Sequence, residues 1–221
     1  MIRIKTAAPA PGHHAITVHG GRFIMHTDDS LDPLADLARV IEHAYQAGEI
    51  EPLAATLATV DSALNRPSAR TVYVHLLPDG VAFFVNTFSG KGRQLLWNPY
   101  AALCFYWRKI EQQTVVEGRC EVLDEPTADL LWRKRPRESA LVATALDAMS
   151  DPTDDENLAE RIASTRQHYS FEHPPRPDQW QGYRLLPERV EFWSAGWDRA
   201  RYRQVYQRES GGGWQVSRQP P

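Results

Sequence analysis

The sequence predicts a mainly β protein with peripheral helices, an α+β β-barrel in one domain. Two observations support this prediction. Segments rich in β-branched and aromatic residues are separated by turn signals such as Pro78-Asp79-Gly80 and Asn98-Pro99, mostly in meander order. Helical segments are inserted between them, and no internal repeat is present, a pattern typical of a barrel. The 221 residues suffice for one substantial core.

The predicted strands fall into two groups along the chain. The first covers residues 53–60, 69–77, 81–87, 101–107 and 113–123. The second covers residues 182–186, 189–194, 201–207 and 213–218. Helices are predicted where apolar residues recur at helical spacing or where a capping serine opens a short segment: 31–47, 89–96, 125–134, 139–149 and 155–169.

Residues 1–30 are rich in Pro, Gly and His and show no sustained period, which predicts an N-terminal arm before a single domain at 31–221. The four histidines of this arm fit no metal-ligand spacing, so no metal site is predicted. They are His13, His14, His19 and His26.

Composition and charge exclude several classes of partner. A formal net charge of −3 does not favour nucleic-acid binding. No apolar run approaches the roughly 20 residues that span a bilayer, and no secretory signal is visible, so a cytoplasmic protein is expected.

Cys104 and Cys120 lie in apolar strand segments, which favours reduced thiols over the alternative of a disulfide.

A candidate phosphate site lies at Ser89-Gly90-Lys91-Gly92. A helix N-terminus capped by Ser89 offers free amide donors and a partial positive charge, and Lys91 adds a full charge, which suits a monophosphate. The segment lacks the spacing of a nucleoside-triphosphate loop. Arg70 opens a nearby strand, where it is either a solvated strand end or a second phosphate partner.

Three arginines stand at alternate positions near the C-terminus: Arg199, Arg201 and Arg203. Alternation along a strand would place their guanidinium groups on one face, where like charges repel. Such a row indicates either anion or ring binding or a plain solvated strand.

Motifs in one order along the chain carry a more specific signal. They lie at 70–74, 83–87, 89–95, 98–107, 112–119, 135–139, 187–193 and 213–218. Together they resemble the pyridoxamine-phosphate oxidase family over roughly residues 53–221. The resemblance implies an FMN-binding split β-barrel that forms a homodimer, with FMN at the subunit interface.

The same resemblance implies roles for individual residues. Arg70 and Lys91 match positions that hold the FMN phosphate, with Ser89 nearby. Three further positions match residues that contact the flavin: Gln113, Trp193 and Arg203. Each type suits its role, because a phosphate favours fixed cations and a flavin ring favours stacking and hydrogen bonds.

On the substrate side the chain departs from the family. A lysine, a tyrosine, an arginine and a serine that hold the substrate phosphate correspond here to His75, Leu131, Arg135 and Ser139. Leucine cannot donate to a phosphate, and a histidine is largely neutral near pH 7. Arg199 and Arg201 are expected to form the substrate-facing catalytic pair, Arg201 standing where the family has a histidine.

These observations lead to the expectation of an FMN-dependent oxidase. A small cyclic amine or dihydro-aromatic substrate would give a hydride to the flavin, with oxygen as acceptor, as in similar oxidases of phenazine biosynthesis or another specialised pathway. Two alternatives stay open: a pyridoxine/pyridoxamine 5'-phosphate oxidase and a non-catalytic flavin-binding protein.

Overall fold

Eight strands and five helices make up the part of the chain that the computed structural model describes, which is residues 31–147, 157–194 and 203–220. The helices are α1 (Pro33–Gln46), α2 (Gly90–Trp97), α3 (Glu125–Arg133), α4 (Arg137–Asp147) and α5 (Leu158–His168). The strands are β1 (Ala54–Asp61), β2 (Arg66–Leu77), β3 (Gly80–Asn86), β4 (Tyr100–Trp107), β5 (Gln112–Val122), β6 (Trp180–Ser194), β7 (Arg203–Arg208) and β8 (Trp214–Gln219).

The strands form one sheet in the order β3-β2-β1-β4-β5-β6-β7-β8, with every neighbouring pair antiparallel. Because β3 also pairs with β6, strands β1 to β6 close into a six-stranded barrel, and β7 and β8 continue the sheet beyond it. The predicted class, a mainly β barrel with peripheral helices, is confirmed. Closure leaves no free edge among the barrel strands.

Strand β6 corrects one detail of the sequence-based prediction. The expected strands 182–186 and 189–194 are a single strand of 15 residues that runs through Pro187. Its first half pairs with β3 and its second half with β7, so Pro187 lies between the two partners, opposite Gly118 at a register shift in β5. A proline is tolerated there because the irregular position requires fewer ladder hydrogen bonds.

Two apolar clusters hold the helices on the barrel. The larger fills the barrel and includes α1 residues such as Leu37 and Ile41. The smaller lies outside β3, where Phe84 packs beneath Leu131 and Trp132 of α3.

Both cysteines are free thiols, as predicted, with Cys120 buried. Among the described residues, no helix is both long and apolar enough to cross a membrane.

A buried hydrogen-bond chain fastens α1 to β7. The Tyr206 hydroxyl donates to Asp36 Oδ2 at 2.5 Å and accepts from Gln204 Nε2 at 2.7 Å. Replacing Tyr206 by phenylalanine leaves the buried Asp36 and the partly buried Gln204 each short of a hydrogen bond. We expect the Tyr206→Phe variant to lose about 1–3 kcal/mol of unfolding free energy in urea titrations. Tyr45→Phe is the control, since Tyr45 is exposed; equal stability of the two variants would contradict the role of the chain.

Candidate functional site

The loop before α2 is built around a serine cap and a close backbone approach. Ser89 Oγ accepts a hydrogen bond from the Gly92 amide at 3.2 Å and donates to the Asn86 carbonyl at 2.6 Å. A Cβ atom at Gly92 would lie 2.6 Å from the carbonyl oxygens of both Asn86 and Thr87, so only glycine fits. The amides at the start of α2 are therefore presented by a tightly folded loop, an arrangement that favours an anion.

Arg70 lies on β2, opposite Leu57 of β1. Its guanidinium donates to Thr59 Oγ1 at 2.5 Å and to Gln94 Oε1 of α2 at 3.3 Å. Thr59 in turn donates to Gln94 Oε1 at 2.6 Å. Thr59 and Gln94 are not among the residues predicted for the site; the signal for Thr59 is a polar residue on the inward face of β1. These contacts fix Arg70 in position next to α2.

Arg70 and Lys91 form a pair of cations close enough to interact. Burial and the charge of Arg70 lower the pKa of Lys91, and burial lowers the pKa of Arg70. Within residues 31–147, 157–194 and 203–220, neither side chain forms an ion pair with a carboxylate. Two partly buried like charges beside a helix N-terminus are best satisfied by an anion.

A second group of predicted residues lies on three neighbouring strands. Gln113 of β5 pairs with Trp193 of β6, which pairs with Arg203 of β7, so the three side chains share one face of the sheet. Arg203 Nη1 contacts Glu191 Oε1 at 3.2 Å, whereas Arg203 Nε is buried and has no hydrogen-bond partner among the described residues. This face therefore offers the indole ring of Trp193, the side-chain amide of Gln113 and, at Arg203 Nε, a hydrogen-bond donor without a partner in the described residues.

A third group surrounds Arg135, next to α3. Its guanidinium packs against the rings of both Trp132 and Trp180, at 5.3 and 5.2 Å from their centroids, which lie 5.8 Å from each other. Arg135 Nε is buried without a hydrogen-bond partner in the described part of the chain, and burial lowers the pKa of Arg135. His75 is close enough to Arg135 for the two charges to interact. The structure therefore brings His75 and Arg135 together in a cationic, aromatic environment.

The remaining substrate-side predictions have different outcomes. Ser139 lies exposed in the first turn of α4. Leu131 is buried in the smaller apolar cluster and offers no donor. Arg199 and Arg201 lie outside the described residues, so their roles stay predictions.

The environment of His75 predicts a pH effect. Burial, Lys134 and Arg135 together lower the pKa of His75 below its ordinary value of about 6.5. The unfolded chain therefore binds this proton at a higher pH than the folded chain. Stability from His75 is complete above the unfolded pKa and is lost as the pH falls below it toward the lower folded pKa.

Accordingly, we expect the unfolding free energy to fall between pH 7 and pH 5, and to fall less in a His75→Asn variant. Urea titrations of both proteins across this range measure the difference. An identical pH dependence would contradict the described environment of His75. His168→Asn, at the end of α5, is the control for loss of a histidine.

Comparison with known proteins shows which family this chain is similar to. Residues 41–194 match the model of the pyridoxamine 5'-phosphate oxidase family. Residues 180–221 match the pyridoxine 5'-phosphate oxidase C-terminal dimerisation region, which supports the expected homodimer.

Individual relatives agree with the family match. A pyridoxine/pyridoxamine 5'-phosphate oxidase of Myxococcus xanthus is 38% identical over 95% of this chain and 96% of its own length. A Ralstonia nicotianae protein named pyridoxine/pyridoxamine 5'-phosphate oxidase 1 is 41% identical over 86% of this chain and 89% of its own. The solved structure of PhzG from Burkholderia lata, in complex with tetrahydrophenazine-1-carboxylic acid, covers 91% of this chain and 100% of its own with a TM-score of 0.81 at 30% identity.

These matches extend over the barrel and the C-terminal strands, the regions that carry the cation pair and the Gln113 face. The family, the enzyme class and the cofactor predicted from the sequence are confirmed. The chain therefore belongs to the pyridoxamine 5'-phosphate oxidase family, whose members are FMN-dependent oxidoreductases.

Proposed function

We propose that this protein is an FMN-dependent oxidase of a small cyclic amine or dihydro-aromatic substrate that carries an anionic group. One observation supports the cofactor site above all others: Arg70, bonded to Gln94 of α2, and Lys91, in the first turn of α2, are two cations close enough to interact, without a carboxylate partner in the described residues. The phosphate of FMN would supply the missing charge.

Two further features fit FMN, one its phosphate and the other its flavin ring. Gly92 allows the loop to close without a side chain, which brings the backbone amides near a phosphate. On β5 to β7, Gln113, Trp193 and Arg203 offer hydrogen bonds and an aromatic surface, and Arg203 Nε is a donor with no partner among the residues that the structure describes. We also propose that FMN binds at the subunit interface. There it would contact both the Arg70–Lys91 pair and the face formed by Gln113, Trp193 and Arg203.

When bound, FMN supplies the redox chemistry, accepting a hydride from the substrate and giving electrons to oxygen. The chain's own residues bind and orient. Arg135, packed against two indoles, would anchor the anionic group of the substrate, with Ser139 nearby in sequence. Arg199 and Arg201 are proposed as the substrate-facing catalytic pair on the evidence of sequence alone.

The substrate class follows from the charges near Arg135. His75 has a lowered pKa and is therefore largely neutral near pH 7, and Leu131 is buried. Two of the four side chains that hold the substrate phosphate in the family are therefore replaced here, at about 1.5–3 kcal/mol for each charged hydrogen bond lost. One guanidinium suits a carboxylate, and PhzG was solved with a carboxylated tetrahydrophenazine. A tricyclic or similar reduced carboxylate is therefore the favoured substrate.

Pyridoxine or pyridoxamine 5'-phosphate is the second candidate. The relatives that are named for this substrate align with the chain over 96% and 89% of their own length. Oxygen uptake with each substrate under equal conditions separates the two. The proposal predicts faster turnover of tetrahydrophenazine-1-carboxylate, whereas turnover of pyridoxine 5'-phosphate on the order of 1 per second or faster would support the second candidate. No turnover of any reduced ring or amine would favour a non-catalytic flavin-binding protein.

Substitution of Arg135 tests the substrate anchor. We expect Arg135→Gln to reduce kcat/KM about 10- to 100-fold, mainly through KM, because one charged hydrogen-bonding group is lost. Affinity for FMN is expected to stay within about twofold, since Arg135 belongs to the substrate site. Arg133→Gln is the matched control, because Arg133 is exposed at the end of α3, two residues before Arg135. A loss of FMN affinity equal to the loss in kcat/KM would contradict the assignment.

A further inference from the structure

Glu191 of β6 is charged but only 6% exposed. Its two carboxylate oxygens are held by different arginines: Arg189 Nη2 donates to Oε2 at 2.6 Å, and Arg203 Nη1 lies 3.2 Å from Oε1. A buried carboxylate is costly unless cations and hydrogen bonds compensate it, so these two contacts account for its presence.

The location of Glu191 connects it with the proposed flavin face. It precedes Trp193 by two positions on β6, so both side chains point to the same side of the sheet. Arg203 is paired directly with Trp193 in the register of β6 and β7. The carboxylate therefore lies on the same face as the residues proposed to contact the flavin.

The contact with Glu191 uses only one nitrogen of the Arg203 guanidinium. Arg203 Nε is buried and has no partner in the described residues, while 43% of the side chain stays exposed. A long arginine side chain without an anchor adopts many rotamers, and ordering them opposes ligand binding. Glu191 removes that freedom while it leaves donors of the same guanidinium available.

We propose that Glu191 is a positioning residue that orients Arg203 for FMN. The inference rests on the proposed function, in which Arg203 contacts the cofactor. Arg189 holds the second oxygen of Glu191 and also contacts Glu117 at 3.1 Å, which completes a row of alternating charges. In this row Glu191 acts on FMN only through Arg203.

A double-mutant cycle on FMN affinity tests this coupling, with Kd measured by flavin fluorescence. We expect Arg203→Gln to weaken binding about 10- to 100-fold and Glu191→Gln about 5- to 10-fold, because the glutamine keeps the shape but loses the charge. The double variant is expected to bind about as weakly as Arg203→Gln alone, since no tethered guanidinium remains. Glu117→Gln, which contacts Arg189 but not Arg203, should change Kd less than about twofold.

The possible outcomes distinguish failure of the cofactor role of Arg203 from failure of the positioning role of Glu191. An unchanged Kd in Arg203→Gln overturns the cofactor role of Arg203. A weakened Arg203→Gln together with an unchanged Glu191→Gln, or effects that multiply in the double variant, overturns the positioning role. A lower Tm of Glu191→Gln at unchanged Kd also does so. If Glu191→Gln does not fold, Glu191→Asp replaces it; its shorter carboxylate should weaken FMN binding, and an unchanged Kd overturns the proposal.

Discussion

Replacing Arg70 and Lys91 together by alanine is expected to weaken FMN binding by about 10²- to 10⁴-fold. Each cation would contribute one charged hydrogen bond to the FMN phosphate, at about 1.5–3 kcal/mol, and both would be lost. Each single variant should show roughly the square root of the combined effect. Flavin fluorescence titrations of the apoprotein measure the Kd values directly.

The stability of the apoprotein separates lost affinity from damage to the fold. Because the charge of Arg70 lowers the pKa of Lys91, the two cations repel each other in the absence of an anion. Lys91→Ala should therefore leave the Tm of the apoprotein unchanged or slightly higher. Arg66→Ala is the control for loss of a cation on β2, since Arg66 is exposed at the start of the strand. Equal FMN affinity of the double variant and the control would contradict the phosphate site.

The second large effect is expected for Trp132→Ala. Trp132 is 1% exposed, its ring packs against Phe84 at a centroid distance of 5.4 Å, and its Nε1 donates to the Pro174 carbonyl at 3.0 Å. Truncation creates a large cavity and removes this hydrogen bond, so we expect a loss of about 3–5 kcal/mol in unfolding free energy. The variant also removes one of the two rings that hold Arg135.

Two comparisons sharpen this test. Trp97→Ala removes an equally large side chain that is 80% exposed, and its effect should lie within about 0.5 kcal/mol of zero. Trp132→Phe keeps much of the apolar volume but loses the bond to Pro174, and should fall between the two. Similar stability of Trp132→Ala and Trp97→Ala would contradict the described packing of α3.

The barrel was predictable because each strand carries its own signal. Segments of β-branched and aromatic residues between turn signals identified β1 to β5, and the serine before Gly90 identified the start of α2. The continuity of β6 was not predictable, because Pro187 normally ends a strand and is accommodated only by the change of partner from β3 to β7. That change is a property of the closed barrel and has no local signal.

The candidate site was likewise predictable from the sequence only in part. The charges of Arg70 and Lys91 are visible in the sequence, and their proximity in the structure is consistent with the predicted phosphate site. The support of Arg70 by Gln94 depends on packing of α2 against β1, and no single-sequence pattern indicates it. Likewise Arg135 packs against both Trp132 and Trp180, two rings that are far apart in sequence.

The absorbance spectrum of the purified protein, with chemical identification of the released chromophore, tests the account most directly. We predict a yellow protein, or an apoprotein that takes up added FMN, with about one FMN per protomer. Anaerobic addition of a suitable reduced substrate should bleach the visible absorbance, and air should restore it. A colourless protein that takes up no FMN at micromolar concentration would contradict the account.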